Sequence, residues 1–363
     1  MRPDGSGTRQ LTFRGAHKPF WLPDGKTIFF GSVRSGQARY MSILADGEPG
    51  SEKLVGALLA GAQDPVWSPD GSLIAFGTTA NESGSRDLWY VRADGGRAVG
   101  LTAKFWVREW AWSPDGKTIA FVVGKATGTS LWTAAPGDNK IKLLYKGFCG
   151  APSYSPLLIN LADRLEKKIG VRSFGGRRIW WSSDGSRLYF ESSRESEPAI
   201  WSVGASGRGL GRLTPEGTPA QGLSLDRSSE AMAFQAMLKD SYAPDLHLAD
   251  ADARNVRRLT RSFHSCWSPV WSADGSRLAL QSDANHANEL FVSISAGKRA
   301  RAVARLDNPE RVEVRWFDHN KRLLVADAGR LLIVDAGGGK DAAKPVPNLD
   351  GPAQAPTLHD NRI

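Results

Sequence analysis

The chain has 363 residues, 41% hydrophobic and 23% charged with 13 tryptophans, a composition that excludes a mainly disordered protein and allows a sizeable core. Its 47 Lys and Arg against 38 Asp and Glu give a net charge of +9, but the basic residues are scattered in short clusters such as Arg177-Arg178 and Arg257-Arg258, so no nucleic-acid partner is expected. Two cysteines, Cys149 and Cys266, exclude a disulfide framework and a Cys-rich zinc site, and no run of 18 apolar residues is present to span a membrane as a helix.

The first residues, "MRPDGSGTRQ", lack the apolar stretch of a signal peptide, which leaves either a cytoplasmic protein or a leader outside this chain. Residues 8–12, "TRQLT", read like the end of a repeat before any repeat has begun. The first full repeat starts with "WLPDGKTIFF" at 21–30. Close copies follow as "WSPDGSLIAF" at 67–76, "WSPDGKTIAF" at 112–121, "WSSDGSRLYF" at 181–190 and "WSADGSRLAL" at 271–280. A degenerate copy is anchored by Leu225 in "SLDRSSEAMAF" and a last one by Trp316 in "WFDHNKRLLVA". The anchors are separated by 46, 45, 69, 44, 46 and 45 residues, which makes seven units, one of them carrying about 24 extra residues.

Each unit has the grammar of four short strands. In the second, Trp67-Ser68 and the turn "PDG" lead into "LIAF", then a polar loop, "DLWYVRA", a second turn and "RAVGLT". Proline presets the turn, and Asp-Gly supplies the side-chain hydrogen bond and the left-handed position of a tight hairpin. Four antiparallel strands in about 45 residues are one blade of a β-propeller, unable to bury both faces alone. The expected fold is therefore all-β, a seven-bladed β-propeller of four-stranded antiparallel blades with one short helical insertion before blade 4. Residues 1–337 form a single propeller domain, with residues 8–12 closing the last blade as its outer strand, because the last unit's own candidate, "AAKPVPNL", carries two prolines. Residues 338–363 are left as a C-terminal tail. The insertion, 153–176, repeats Leu157, Leu158, Leu161, Leu165 and Ile169 at helical spacing, and that stripe must pack on the rim, fold over the channel or meet a partner.

The hairpin "W-S-P-D-G-K-x-I-A-F" and the blade endings "TRQLT", "AVGLT", "GRLT" and "RRLT" resemble those of the TolB-like β-propellers, whose WD-like repeats carry both. The resemblance covers roughly residues 1–337. It implies a blade-stacked propeller, in bacteria often periplasmic or otherwise extracytoplasmic, that binds proteins or peptides or serves as one domain of a larger enzyme. Two departures matter: the fifth unit has lost its Trp and PDG, and seven units stand where TolB itself has six. No binding residue transfers by motif.

Motifs for chemistry are missing from the sequence. There is no G-x-S-x-G nucleophile elbow, and the "GKT" tripeptides at 25–27 and 116–118 have Phe20 and Ala111 where a phosphate loop needs glycine. The six histidines form no H-E-x-x-H motif, so no metal and no cofactor is assigned. In a propeller the connectors entering each inner strand line one mouth of the channel. Here they offer His17, Asp64, Phe105, Trp106, Arg108, Glu109, Arg177, His264, Trp267 and Arg311, a mixture of aromatic and charged groups suited to gripping a peptide or an acidic chain end. The leading expectation is a noncatalytic scaffold binding a protein or peptide there, as a monomeric propeller within a larger assembly. Two alternatives stay open: the propeller domain of a larger serine peptidase or amidohydrolase-type protein, and a metal-assisted lyase or hydrolase acting in the channel.

Overall fold

The computed structural model describes residues between 17 and 345, apart from 149–178 and short segments chiefly between strands, among them 22–25, 56–61, 80–85, 193–196, 238–243, 261–265, 284–288, 294–299, 307–312 and 338–342. The described residues form seven four-stranded antiparallel sheets and no helix. The inserted segment 153–176 lies outside them.

The first sheet runs β1 (His17–Trp21), β2 (Thr27–Arg34), β3 (Gln37–Leu44), β4 (Lys53–Leu54). The second is β5 (Ala62–Trp67), β6 (Leu73–Thr79), β7 (Arg86–Arg92), β8 (Val99–Gly100), and the third β9 (Val107–Trp112), β10 (Ile119–Lys125), β11 (Gly128–Ala134), β12 (Ile141–Phe148). The fourth is β13 (Ile179–Trp181), β14 (Arg187–Ser192), β15 (Ala199–Gly204), β16 (Gly211–Arg212), and the fifth β17 (Ala220–Leu225), β18 (Ala231–Ala236), β19 (Asp245–Asp250), β20 (Arg257–Arg258). The sixth is β21 (Cys266–Trp271), β22 (Leu278–Ser282), β23 (Glu289–Ser293), β24 (Ala300–Arg305), and the seventh β25 (Glu313–Phe317), β26 (Arg322–Asp327), β27 (Arg330–Asp335), β28 (Ala343–Pro345). Every sheet pairs its strands in chain order, so each is a plain meander. The chain divides into two compact units, Met1–Ala103 with Val270–Ile363, and Lys104–Pro269.

The repeated hairpin has a specific cause. Ser68 Oγ donates to Asp70 Oδ1 (2.5 Å) and accepts from Leu73 N (2.9 Å), while Asp70 Oδ1 accepts from Ser72 N (3.1 Å). The same triangle joins Ser113 to Asp115, Ser182 to Asp184 and Ser272 to Asp274, each at 2.6 Å. Turn glycines Gly71, Gly116, Gly185 and Gly275 all sit at φ between 66° and 73°, where a Cβ is strained. The fifth sheet, whose anchor is Leu225, keeps the device with its parts exchanged. Asp226 stands in the serine position and accepts from Ala231 N (3.0 Å), and Ser228, in the aspartate position, donates to Asp226. In the seventh sheet Asn320 takes the glycine position at φ 63°, which Asn tolerates better than most residues.

Nine residues after each anchor the side chain is buried: Phe30, Phe76, Phe121, Phe190, Phe234, Leu280 and Val325 are 0–2% exposed. Each contributes roughly 1.5–3 kcal/mol of hydrophobic stabilisation. In the first unit Phe29, Ile74, Phe76 and Val91 join the first sheet to the second, and Ala279, Leu290, Val314 and Val325 join the sixth to the seventh. In the second unit Leu131, Tyr145, Leu188 and Phe190 bind the third sheet to the fourth, and Tyr189, Ile200, Met232 and Phe234 bind the fourth to the fifth.

The "L-T" endings explain themselves as a clip. Leu88 N donates to Thr102 Oγ1 (2.9 Å), Ile200 N to Thr214 Oγ1 (3.2 Å) and Leu246 N to Thr260 Oγ1 (3.0 Å), which pins a two-residue outer strand to the third strand. Thr102 and Thr260 donate onward to Asp87 (3.0 Å) and Asp245 (2.8 Å), and Arg258 also pairs with the buried Asp245. The third and sixth sheets use longer outer strands of 8 and 6 residues instead.

In the seventh sheet the fourth strand is Ala343–Pro345, with Ala343 opposite Val334 and Pro345 opposite Leu332. This differs from the expectation that residues 8–12 take that edge and that everything past 337 is tail; residues 8–12 lie outside the described residues. Proline is tolerated there because an outermost strand needs no outward N–H.

Candidate functional site

The first strand of several sheets begins irregularly, whereas β13 and β25 pair in unbroken register. Register shifts interrupt β1 between His17 and Phe20, β5 between Gln63 and Val66, and β17 between Gln221 and Ser224, and β9 slips at Arg108. Asp64 (φ 46°), Gly222 (φ 67°) and Ser268 (φ 51°) are left-handed, each three residues before its anchor Trp67, Leu225 or Trp271. Such bulges release backbone groups and re-aim side chains out of the ladder. The amide that the β17 bulge releases, Leu223 N, donates to Glu191 Oε1 of the fourth sheet at 2.9 Å. A left-handed backbone at Asp64 and Ser268 is uncommon for residues with a Cβ and is held by its surroundings.

In the first unit the bulge carries a charged group. Asp64 Oδ2 accepts from the Arg86 guanidinium at 2.6 Å, and the carboxylate side chain remains 47% exposed. Beside it the Tyr40 hydroxyl donates to Ala62 O (3.1 Å), and burial, reinforced by the Asp64 carboxylate and opposed by Arg86, pushes that hydroxyl up to about 12. Tyr40 is thus a neutral donor at any physiological pH. The arrangement presents one half-open carboxylate with its counter-ion fixed behind it, suited to a polar or cationic group of a ligand.

In the second unit the connector before β9 carries the other described candidates. Trp106 is 37% exposed, Arg108 is exposed and Glu109 is half-buried. The connector is held by Gly124 N donating to Trp106 O (2.9 Å) and by Phe105, which sits edge-on to Trp132 (5.7 Å) and Phe121 (6.4 Å). Phe105 is therefore an anchor for the loop, with its ring facing the core. Trp106, Arg108 and Glu109 are brought together by sequence adjacency on the bulged entry to β9.

His17 opens β1 and Trp267 is the second residue of β21, both at the entry ends of their strands. Arg177, His264 and Arg311 lie outside the described residues. Sequence reasoning missed Arg86, Tyr40, Glu191 and Ser268. Only Ser268 carried a signal, its place three residues before an anchor. Among the described residues no three His, Cys, Asp or Glu side chains converge as a metal site.

No family model matches the chain. The Tol-Pal system protein TolB of Thioalkalivibrio sulfidiphilus is 42% identical over 59 residues, 16% of this chain and 14% of that protein's length. The uncharacterized protein Atu1656 of Agrobacterium fabrum is 26% identical over 278 residues, 72% of this chain and 82% of its own. Among solved structures, the β-propeller domain of the Trilobed protease from Pyrococcus furiosus, described as having an open velcro topology, aligns over 93% of this chain and 96% of its own with a TM-score of 0.54 at 13% identity. Oligopeptidase B from Leishmania major aligns over 93% of this chain and 49% of its own, with a TM-score of 0.61 at 14% identity. At such identities the structural likeness speaks for the propeller fold alone.

Proposed function

We propose that this chain, which belongs to the TolB-like β-propellers, closes its seven sheets into one ring of seven blades and binds a protein or peptide at the mouth where the inner strands begin. The observation that carries this reading is the recurrent bulge at the entry of the inner strands, with left-handed Asp64 and Ser268 three residues before their anchors. A ring of meanders would collect those entry ends around its axis, so a feature shared by the first strands of several sheets would gather re-aimed side chains at one mouth. The exposed Trp106 and Arg108 and the half-open Asp64 supply an aromatic anchor and both signs of charge. His17, Arg177, His264, Trp267 and Arg311 extend the same mouth in this reading. The TolB resemblance supports a periplasmic or other extracytoplasmic setting and a single propeller acting within a larger assembly.

The test is photo-crosslinking in the native host with benzoylphenylalanine placed at Trp106 or, as control, at the exposed Val256 just before the outer strand β20. A discrete protein adduct from position 106, weakened by Asp64→Ala or Arg108→Ala, is expected. Adducts from position 256 alone would move the partner to the outer rim and sink the proposal.

A second reading rests on the oligopeptidase B alignment, which takes in nearly all of this chain and half of that one. Under it the chain is the propeller domain of a larger peptidase. Reading the gene on both sides of these 363 residues for a hydrolase domain with a nucleophile elbow decides between the two.

A further inference from the structure

The outer strands carry charge of one sign. Among the described strands, the fourth of each sheet, β4, β8, β12, β16, β20, β24 and β28, holds no Asp or Glu, whereas Lys or Arg occurs once each on β4, β16 and β28 and twice each on β12, β20 and β24, nine in all. The other twenty-one strands are even, with eleven Lys or Arg against ten Asp or Glu. Part of the outer set is committed: Arg258 pairs with Asp245, and Arg212 donates to the carbonyls of Thr214 and Pro215. Lys53, Lys142, Lys146, Arg257, Arg301 and Arg305 are exposed.

Lysine on an edge strand is also the ordinary guard against strand addition. The aliphatic residues beside it are not. Leu54, Val99, Leu143, Leu210 and Val256, one from each of the first five sheets, are 40–44% exposed on an outer strand or immediately before it. Each stands within two residues of a basic one, namely Lys53, Arg97, Lys142, Arg208 and Arg257. Guarding alone would put a polar side chain there, because an apolar edge invites aggregation. A single exposed aliphatic residue needs no cause, but the same pair recurs in five sheets.

In the second unit two of these edges form one surface. Lys142 Nζ donates to Ser206 O at 2.6 Å, and Gly207 lies against Leu144 and the Lys142 stem, so the turn leading into β16 rests on β12. Lys140, Lys146, Arg208, Leu143 and Leu210 are exposed on the segments that meet there. Asp138, in the turn before β12, is occupied locally: its carboxylate accepts from Lys140 N at 3.2 Å.

We propose that the outer edges of the third and fourth sheets dock on the surface of an anionic phospholipid bilayer, the cations meeting headgroup phosphates while Leu143 and Leu210 enter the acyl boundary. This partner uses both members of the pair: Lys and Arg are drawn to anionic headgroups, and shallow aliphatic side chains gain apolar burial there. A single-stranded nucleic acid would call for aromatic side chains to stack on bases, and none of the exposed large hydrophobic residues on the outer edges is aromatic. A protein partner is typically gripped by one central cluster of aromatic or Arg anchors. A pair repeated from sheet to sheet suits a partner that is itself repetitive, as a lipid layer is. The surface is built from other strands than the proposed mouth and does not depend on it.

The test is flotation of the full chain with vesicles of phosphatidylcholine, either alone or with about one third phosphatidylglycerol. Binding to the anionic vesicles only is expected. Lys140→Glu, Lys146→Glu and Arg208→Glu together lower it by more than about tenfold, since each cation near such a surface is worth roughly fivefold. Lys142 is kept, because it joins the two sheets. The control Lys26→Glu, Lys117→Glu and Lys321→Glu makes the same change in net charge at exposed lysines of the inner hairpins and leaves most of the binding at physiological salt. Should the first triple variant fail to fold, Gln at the same three positions removes the charge more gently and weakens binding in the same direction. With Cys149 and Cys266 replaced by Ala, an environment-sensitive fluorophore at Leu143→Cys shifts to the blue on anionic vesicles. No flotation, equal losses in the two triple variants, or a label at position 143 that vesicles leave unchanged overturns the proposal. Retention of DNA or of an acidic protein through the same three side chains, without binding to vesicles, overturns it as well and gives the surface to that partner.

Discussion

Trp316 donates its indole N–H to the carbonyl of Val270, 46 residues earlier, at 2.9 Å. Trp181 does the same to Ala111, 70 residues earlier, at 3.2 Å. In each case the accepting carbonyl belongs to the residue just before the previous unit's anchor, Trp271 or Trp112. In these two cases the tryptophan is therefore a ruler as well as a filler: it fixes how far the fourth sheet stands along the third and the seventh along the sixth. Trp316→Phe keeps most of the packing and removes the bond, leaving the Val270 carbonyl short of a partner, so chemical denaturation is expected to show a loss of about 1–3 kcal/mol. No change in the unfolding midpoint would reduce the bond to decoration.

The turn carboxylates make a statement about acid. The hydrogen bonds from Ser182 and Ser186 hold the Asp184 carboxyl at about 2, and at Asp274 burial pushes upward but the bonds from Ser272 and Ser276 prevail and hold it at about 2. Bonds from Ser68 and Ser113 likewise lower Asp70 and Asp115 from the ordinary 3.8. Because these groups are depressed in the folded chain, their stabilisation is present above 3.8 and is lost as pH falls toward about 2. Thermal unfolding followed across that window should show a falling midpoint, and Asp184→Asn should lower stability at neutral pH and flatten the acid slope. An unaltered slope in that variant contradicts the assignment.

His247 acts in a different window. Burial holds its imidazole below the ordinary 6.5, with the Asp245 carbonyl and charge pulling upward and Arg258 pushing down. Its ring stacks on Phe234 at 5.7 Å and its Nε2 is buried with no hydrogen-bond partner among the described residues. The unfolded chain takes the proton first, so stability is intact above 6.5 and declines as pH drops below it. His247→Phe removes both the orphaned nitrogen and the titration. Its unfolding midpoint should match or exceed the parent at about pH 5 and vary less between about pH 7 and 5; a parallel decline would assign the effect elsewhere.

The clip of the fifth sheet separates two kinds of loss. Thr260→Val strands the Leu246 amide and one bond to Asp245, an expected cost of about 1–3 kcal/mol. Arg258→Ala leaves the fully buried Asp245 without its cation and should cost more, about 3–5 kcal/mol. Equal losses by urea titration would mean that Arg258 contributes only packing.

How far this was legible depends on where the cause lies along the chain. Anchor spacing, the PDG turn and the buried residue nine places later are local, and they placed seven sheets at the positions where the anchors fall. The fifth unit shows the limit of pattern reading: Leu225 without Trp or PDG reads as decay, yet Asp226 and Ser228 preserve the turn by trading roles. The outer strand of the seventh sheet went to Ala343–Pro345 because an edge forgives proline, a tolerance that depends on what lies outside the strand and not on the strand itself. At the candidate site, Asp64, Trp106 and Arg108 could be named from their connectors, but Phe105 could not be told from them, since only packing against Phe121 and Trp132 turns it inward. Arg86 and Tyr40 come from the second sheet's third strand and the first sheet's third strand, too distant in sequence from Asp64 for any spacing to flag.

The proposed binding mouth requires the seven sheets to form a closed circle. Lys26 and Lys321 are exposed and occupy the same place in the inner hairpins of the first and seventh sheets, five residues after Trp21 and Trp316. With spin labels at Lys26→Cys and Lys321→Cys, in a chain whose two native cysteines are replaced, pulsed electron resonance should give a separation of one to two sheet spacings, about 10–20 Å. A dominant separation near 60 Å, roughly six sheet spacings, is the signature of an open stack and would contradict the ring and the binding mouth with it.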